Sequence, residues 1–195
     1  MFKSSFILMC FLLIIYFIHK YIVDKKWNDK PLRNFPFIHH GKEYWYSRSV
    51  ACVLLCFCKN KQGDWCVLAN KRGEKTPDYQ GYWNIPCGYL DFDESGEECV
   101  QRECYEETNV FIPLNKIQNY GVSTDINNNR QNVSIRYFSI IEDTTCETYQ
   151  LSDKNSEDGE VSDIKWIPIN EIDSYKWAFN HDSLIKYFNK LSIIK

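Results

Sequence analysis

Between Gly88 and Glu107 the chain crowds eight acidic residues around one basic residue, Arg102. The eight are Asp91, Asp93, Glu94, Glu97, Glu98, Glu103, Glu106 and Glu107, a local net of −7 against −3 for the whole chain. Carboxylates at that density raise one another's energy unless a cation or solvent relieves them. Any fold for this chain must therefore keep the stretch at a surface or give it a counter-ion. Ser95 followed by Glu98 has the spacing of a capping box, so Ser95 to Glu107 is expected to be a helix. On that helix Glu103, Glu106 and Glu107 stand at i, i+3 and i+4, within about 100° of arc. Taken alone, such a triplet reads most simply as a solvated acidic face. It also makes a set of hard oxygen ligands suited to magnesium, which keeps positions open for water and substrate phosphates. A cation there neutralises a diphosphate and activates a water for attack on phosphorus.

The flanking residues choose between these readings. Gly88, five residues, Glu94, seven residues, Arg102-Glu103, then Glu106-Glu107 and Val110 resembles the Nudix box, G-x5-E-x7-R-E-U-x-E-E-x-G-U, where U is a bulky aliphatic residue. Two positions depart from it. Cys104 replaces an aliphatic residue and preserves burial; Asn109 replaces the second Gly, and Asn is the next most tolerant residue of a left-handed helix end. The likeness extends to Gly81-Tyr82-Trp83-Asn84-Ile85-Pro86-Cys87-Gly88, to Leu68-Ala69-Asn70-Lys71-Arg72 and to Trp166-Ile167-Pro168-Ile169-Asn170-Glu171-Ile172, covering residues 49 to 190.

The resemblance implies the Nudix α/β/α sandwich, a mixed sheet between helices with the box forming loop–helix–loop. It implies metal binding by Glu103, Glu106 and Glu107 with the Gly88 carbonyl, to magnesium or to manganese as a substitute. Glu94 and Arg102 are implied as an ion pair that orients loop and helix. Glu103 is the implied base for the attacking water. Glu160, ahead of the late Trp166, is the alternative, with Glu157 behind it; an exposed loop charge is the other reading of Glu160. The implied activity is hydrolysis of a phosphoanhydride bond in a nucleoside diphosphate linked to another moiety. A non-catalytic Nudix module sensing a nucleotide metabolite is the alternative, since fold alone does not fix function; intact glutamates argue against it. An isoprenoid diphosphate isomerase on this fold needs a Cys and acidic arrangement not found here. Marks of particular substrates beyond the box are missing: residues 125 to 128 read Asp-Ile-Asn-Asn. The family admits a homodimer.

The whole chain of 195 residues is 44% hydrophobic and 16% aromatic, enough for one sizeable core. Expected strands are Ser49 to Cys58, Trp65 to Ala69, Val110 to Leu114, Lys116 to Ser123, Val133 to Ile141 and Val161 to Ile167, with a second helix at Asp182 to Leu191. The polar stretch 59 to 64 reads as a hairpin turn; 71 to 80, 125 to 130 and 143 to 160 read as loops. Nine cysteines without a C-x-x-C knuckle favour core thiols over metal ligands or disulfides. Cys52, Cys56 and Cys58 share strand parity and are expected on one face.

Residues 6 to 18 form an unbroken apolar run, which as a helix spans about 20 Å. Extended to Val23 it reads as an uncleaved anchor with Lys20 snorkelling toward the headgroups. A cleavable signal fits less well, because no small-residue cleavage site follows, and a buried terminal helix is the remaining alternative. Lys20, Lys25, Lys26, Lys30 and Arg33 follow the run, which leaves the downstream domain in the cytoplasm. The expected organisation is an anchor helix at 1–23, a connector at 24–42 and a catalytic domain at 43–195. His39-His40 reads as solvated linker. Trp83 and Tyr82 are candidates to stack on a base or to pack the core. Arg72 is a candidate for a substrate phosphate or for bracing its loop. Basic residues form no stripe, which argues against a nucleic-acid surface.

Overall fold

The computed structural model describes residues 35–46, 49–91, 93–124 and 133–191. The expected anchor helix at 1–23 lies outside them. Among the described residues no helix is long and apolar enough to cross a membrane. β1 (Phe35–His39), in the stretch expected to be a connector, pairs as an antiparallel hairpin with β2 (Lys42–Tyr46), which starts at the connector's last expected residue and runs past its expected end. His40 and Gly41 form its turn with φ of 49° and 73°, so the two histidines sit at a tight reversal rather than in extended linker. This hairpin belongs to a unit separate from the one that begins at Ser49.

In the second unit β3 (Val50–Lys59) is the central strand, because every second residue on both of its faces is apolar. It pairs antiparallel with β4 (Trp65–Arg72) across the expected turn, where the Asn60 side chain accepts the Gln62 and Asp64 N–H groups. On its other side it runs parallel to β8 (Val133–Thr145), from Val50 opposite Val133 onward. β5 (Trp83–Asn84) and β9 (Val161–Pro168) extend the β4 side, β6 (Cys87–Tyr89) pairs with the start of β3, and β7 (Gln118–Ser123) closes the β8 edge. The sheet is thus mixed, as expected.

Strand alternation sends the two sets of β3 side chains into different cores. Cys52, Leu54, Cys56 and Cys58 meet Cys99, Val100 and Cys104 of helix α1 (Gly96–Thr108). Val53, Leu55 and Phe57 meet Leu184, Ile185 and Phe188 of helix α2 (His181–Lys190), with Phe57 and Phe188 stacked at 5.2 Å. The shared parity of the three cysteines holds, and all eight described cysteines are free.

One expected strand is absent. Residues 110–113 are irregular and lead into a 3-10 turn at Leu114–Lys116. Their backbone groups are taken by α1 instead: the Val110 N–H donates to Thr108 Oγ1, and the Ile112 carbonyl accepts from Gln101 Nε2. Pro113 has no N–H to give a ladder.

Candidate active site

Helix α1 begins where the capping box predicts: Ser95 Oγ accepts the Glu98 N–H at 3.2 Å, and Glu98 accepts the Ser95 N–H at 2.8 Å. It ends at Asn109, which adopts φ 61° and gives its N–H to the Tyr105 carbonyl. Glycine at this place would supply only the conformation. Asn109 also donates to the Gln150 carbonyl and accepts from Asn155, tying the helix end to the loop before β9.

Arg102 is the hub of the box. It grips Glu94 with two hydrogen bonds of 2.8 and 3.1 Å, donates to the Tyr89 carbonyl, and places its third nitrogen on Glu103 at 2.7 Å and Glu106 at 3.1 Å. Glu94 in turn accepts the Asp91 N–H, closing the loop between β6 and α1. The guanidinium holds the Glu94 carboxyl down at about 2.

The three helix glutamates occupy unlike surroundings. Glu106 is half-exposed; Glu103 is mostly buried; Glu107 is 4% exposed and accepts the Cys87 N–H at 3.1 Å. Burial pushes the Glu103 carboxyl up to about 7 against the pull of Arg102, and burial then repulsion from Glu103 push Glu107 well above the usual carboxylate range. The negative charge of Glu160 adds to both shifts, so the loop before β9 brings this residue toward the pair. Glu157, the second choice in that loop, is exposed, and only its carbonyl is engaged, by the Glu160 N–H.

Gly88 lies against Glu103. A Cβ at this position would collide with the Glu103 carboxylate, so the glycine makes room for that side chain. Arg72 braces its loop: Nε donates to the Asp78 carbonyl and Nη2 to the Asp78 carboxylate at 2.8 Å. Trp83 is buried in the α2-side core with Lys165 above its ring, whereas Tyr82 beside it is exposed. Of the two base-stacking candidates, the structure leaves Tyr82 accessible.

Two residues of the site escape sequence reasoning. Asn70 and Asn84 lie opposite each other on β4 and β5, nearly inaccessible to solvent, and each has an unpartnered carboxamide oxygen. Asn84 donates to the Ile85 carbonyl and to Cys87 Sγ, while Asn70 works against the upward shift of the Glu107 carboxyl. A polar residue in a strand ordinarily signals a solvent face, so only the tertiary neighbourhood identifies these two.

The donor chemistry fits a divalent cation. Glu103, Glu106 and Glu107 are hard oxygen ligands gathered on one helix face, and the single guanidinium of Arg102, bonded to Glu103 and Glu106 and shared with Glu94, leaves them with a net negative charge. Among the described residues no three carboxylate, imidazole or thiol groups converge as a ready-made cage. Glu103 and Glu106 are turned to Arg102 and Glu107 to the Cys87 N–H, so coordination requires side-chain rotation.

A mixed sheet with an acidic, capped helix against one face and a guanidinium-braced loop leading into that helix defines a Nudix fold. The NUDIX domain profile matches residues 46–188, and the chain belongs to that family, whose hydrolases generally use divalent cations. The NUDIX domain of Shewanella oneidensis NrtR, solved with ADP ribose, is 24% identical and covers 75% of this chain and 90% of that one, with a TM-score of 0.61. The MutT protein of Methanosarcina mazei is 19% identical over 75% of this chain and 96% of its own, at TM-score 0.55. A C. elegans Ap4A hydrolase in binary complex is 16% identical over 74% and 97%, at TM-score 0.53. At these identities the likeness establishes the fold.

Proposed function

We propose that the chain is a magnesium-dependent pyrophosphohydrolase that cleaves a phosphoanhydride bond in a nucleoside diphosphate linked to another moiety. The observation carrying this reading is the buried Glu107 with the mostly buried Glu103 one helical turn away, against which Gly88 leaves no room for a side chain, an arrangement that costs stability. Glu103, Glu106, Glu107 and the Gly88 carbonyl would hold the cation, with manganese as a substitute. When bound, it supplies charge neutralisation on the diphosphate and a more acidic water. Glu103 takes the proton of the attacking water, with Glu160 the alternative base. Arg102 and Glu94 fix the loop so that Gly88 stays against Glu103. Asn70 keeps the Glu107 carboxylate in place from β4.

The test is a panel of nucleoside diphosphate derivatives incubated with magnesium and scored for released phosphate groups. Glu106→Gln keeps the side chain's size and removes its charge, so turnover is expected to fall about 100-fold or more while the melting temperature holds. Full turnover of that variant at limiting magnesium refutes the metal assignment.

The second reading, a nucleotide-sensing module, is favoured by the likeness to the ADP ribose-bound domain of NrtR, a protein also solved with a 27mer DNA. Ligand binding without turnover across the panel selects it. We further place the catalytic domain on the cytoplasmic side of a membrane, held by residues 1–23 and compatible with a homodimer. Deleting that segment is expected to release a soluble enzyme of unchanged turnover; aggregation of the truncated chain overturns the anchor.

A further inference from the structure

Six described residues other than glycine adopt left-handed φ: His40, Tyr79, Asp93, Asn109, Phe179 and Asn180. Four are His, Asp or Asn, the types that tolerate this conformation. Tyr79 (φ 51°) and Phe179 (φ 56°) are not, and these two strained residues touch each other, with ring centroids 4.9 Å apart in an edge-on arrangement. Such strain persists only where the surroundings enforce it, and it concentrates at ligand sites.

The contact is built from two loops far apart in sequence. Tyr82 adds a third ring 5.7 Å from Tyr79, and the Arg72 guanidinium lies 5.0 Å over Phe179 while Asp78 holds its other side. Tyr82 and Phe179 remain 37% and 38% exposed, although each belongs to a packed cluster. Beyond Phe179, His181 accepts the Ile85 N–H, two residues before Cys87, whose own N–H binds Glu107. Beyond Arg72, the Gly73 N–H donates to the Glu160 carbonyl. The segments that carry the rings are therefore tied by hydrogen bonds to the segments that carry Glu107 and Glu160.

We propose that the exposed rings of Tyr82 and Phe179, pinned through Tyr79, are the wall on which the nucleobase of the substrate stacks. The proposal rests on the hydrolase reading above and adds where the base is held. Stacking on aromatic faces tolerates any base, because every base has a π-face. Arg72 serves as the floor of this wall, since its guanidinium is already committed to Asp78 and Phe179. Phe179 keeps its ring against Tyr79 at 4.9 Å and against the buried His181 at 5.5 Å while staying partly exposed.

The test uses the full chain with magnesium and two non-hydrolysable probes, α,β-methylene-ADP and the base-free methylenediphosphonate, in titration calorimetry. The nucleotide is expected to bind at least about tenfold more tightly than the base-free probe, and Tyr82→Ala is expected to remove about tenfold of that advantage. Phe179→Asn, which suits the left-handed backbone, is expected to do the same, and methylenediphosphonate affinity should stay within about twofold in both variants. Tyr82→Phe retains the ring and is expected to match wild type. Equal affinity of the two probes for wild type, or variants that weaken both probes alike, overturns the base wall and leaves the hydrolase reading standing. Failure of both probes to bind wild type overturns the two together.

Discussion

The two faces of the central sheet are filled with different chemistry. Against α2 lie large side chains such as Phe57, Phe188, Leu55, Ile167 and Trp83. Against α1 the same strands present small thiols, and seven cysteines share one core with Leu54, Leu68 and Val100. Each large side chain removes more apolar surface from water than a thiol does, so the α2 face contributes more per residue to stability. Helix α1 compensates with polar ties: the capping box, the Arg102 hub and the Asn109 cap. The face that is weaker in apolar packing is the one that buries two glutamates. Stability and chemistry are thus divided between the two sides of one sheet.

That division predicts a ranking of effects. Phe188→Ala, which empties the centre of the α2-side core, is expected to destabilise by ~3–5 kcal/mol in thermal or urea unfolding. A loss under about 1 kcal/mol would mean this face is not the main source of stability.

Arg102→Ala comes next. It strands Glu94 and frees Glu103 and Glu106, and is expected to cost ~2–3 kcal/mol together with activity. Glu94→Ala is expected to give a similar loss, and the double variant less than the sum, because both singles break one unit. Strictly additive melting data would show that the pair does not couple.

The faces also differ in their response to acid. His181 is buried and neutral beside Ile85, and burial pushes its imidazole down to about 3. Above pH ~6.5 neither folded nor unfolded chain carries this proton, so its contribution is full there. Below that value the unfolded chain takes the proton first, and stability falls by about 1.4 kcal/mol per pH unit toward pH 3. Between pH 6.5 and 5, wild type is expected to lose about 2 kcal/mol more than His181→Gln. Parallel curves for the two proteins would remove His181 from the acid response.

The smallest expected effect belongs to the thiol face. Cys56→Ala deletes one buried sulfur and is expected to cost about 1 kcal/mol, near the value of a methylene group. A cost matching Phe188→Ala would erase the contrast between the faces.

The box itself was readable from spacing, because helix periodicity turns positions 103, 106 and 107 into neighbours and capping chemistry is local. The two flanking helices and the parity of Cys52, Cys56 and Cys58 followed from the same periodicities, and the mixed sheet from the resemblance to the family. The strand expected at Val110 to Leu114 failed because its hydrogen bonds are satisfied by α1 side chains, which a local pattern does not register.

Sequence alone determined which residues carry charge and on which helix face they stand, since both depend on residue type and short spacing. Tertiary structure decided the environment of each charge. It buried Glu107 against the Cys87 N–H, left Glu106 half-exposed beside Arg102, and let the charge of Glu160, from a distant loop, act on Glu103. It also withdrew Trp83 into the core, committed Arg72 to Asp78, and joined Tyr79 to Phe179 across 100 residues of chain. Burial and long-range contact arise only when the sheet closes, so no local pattern of residues contains them.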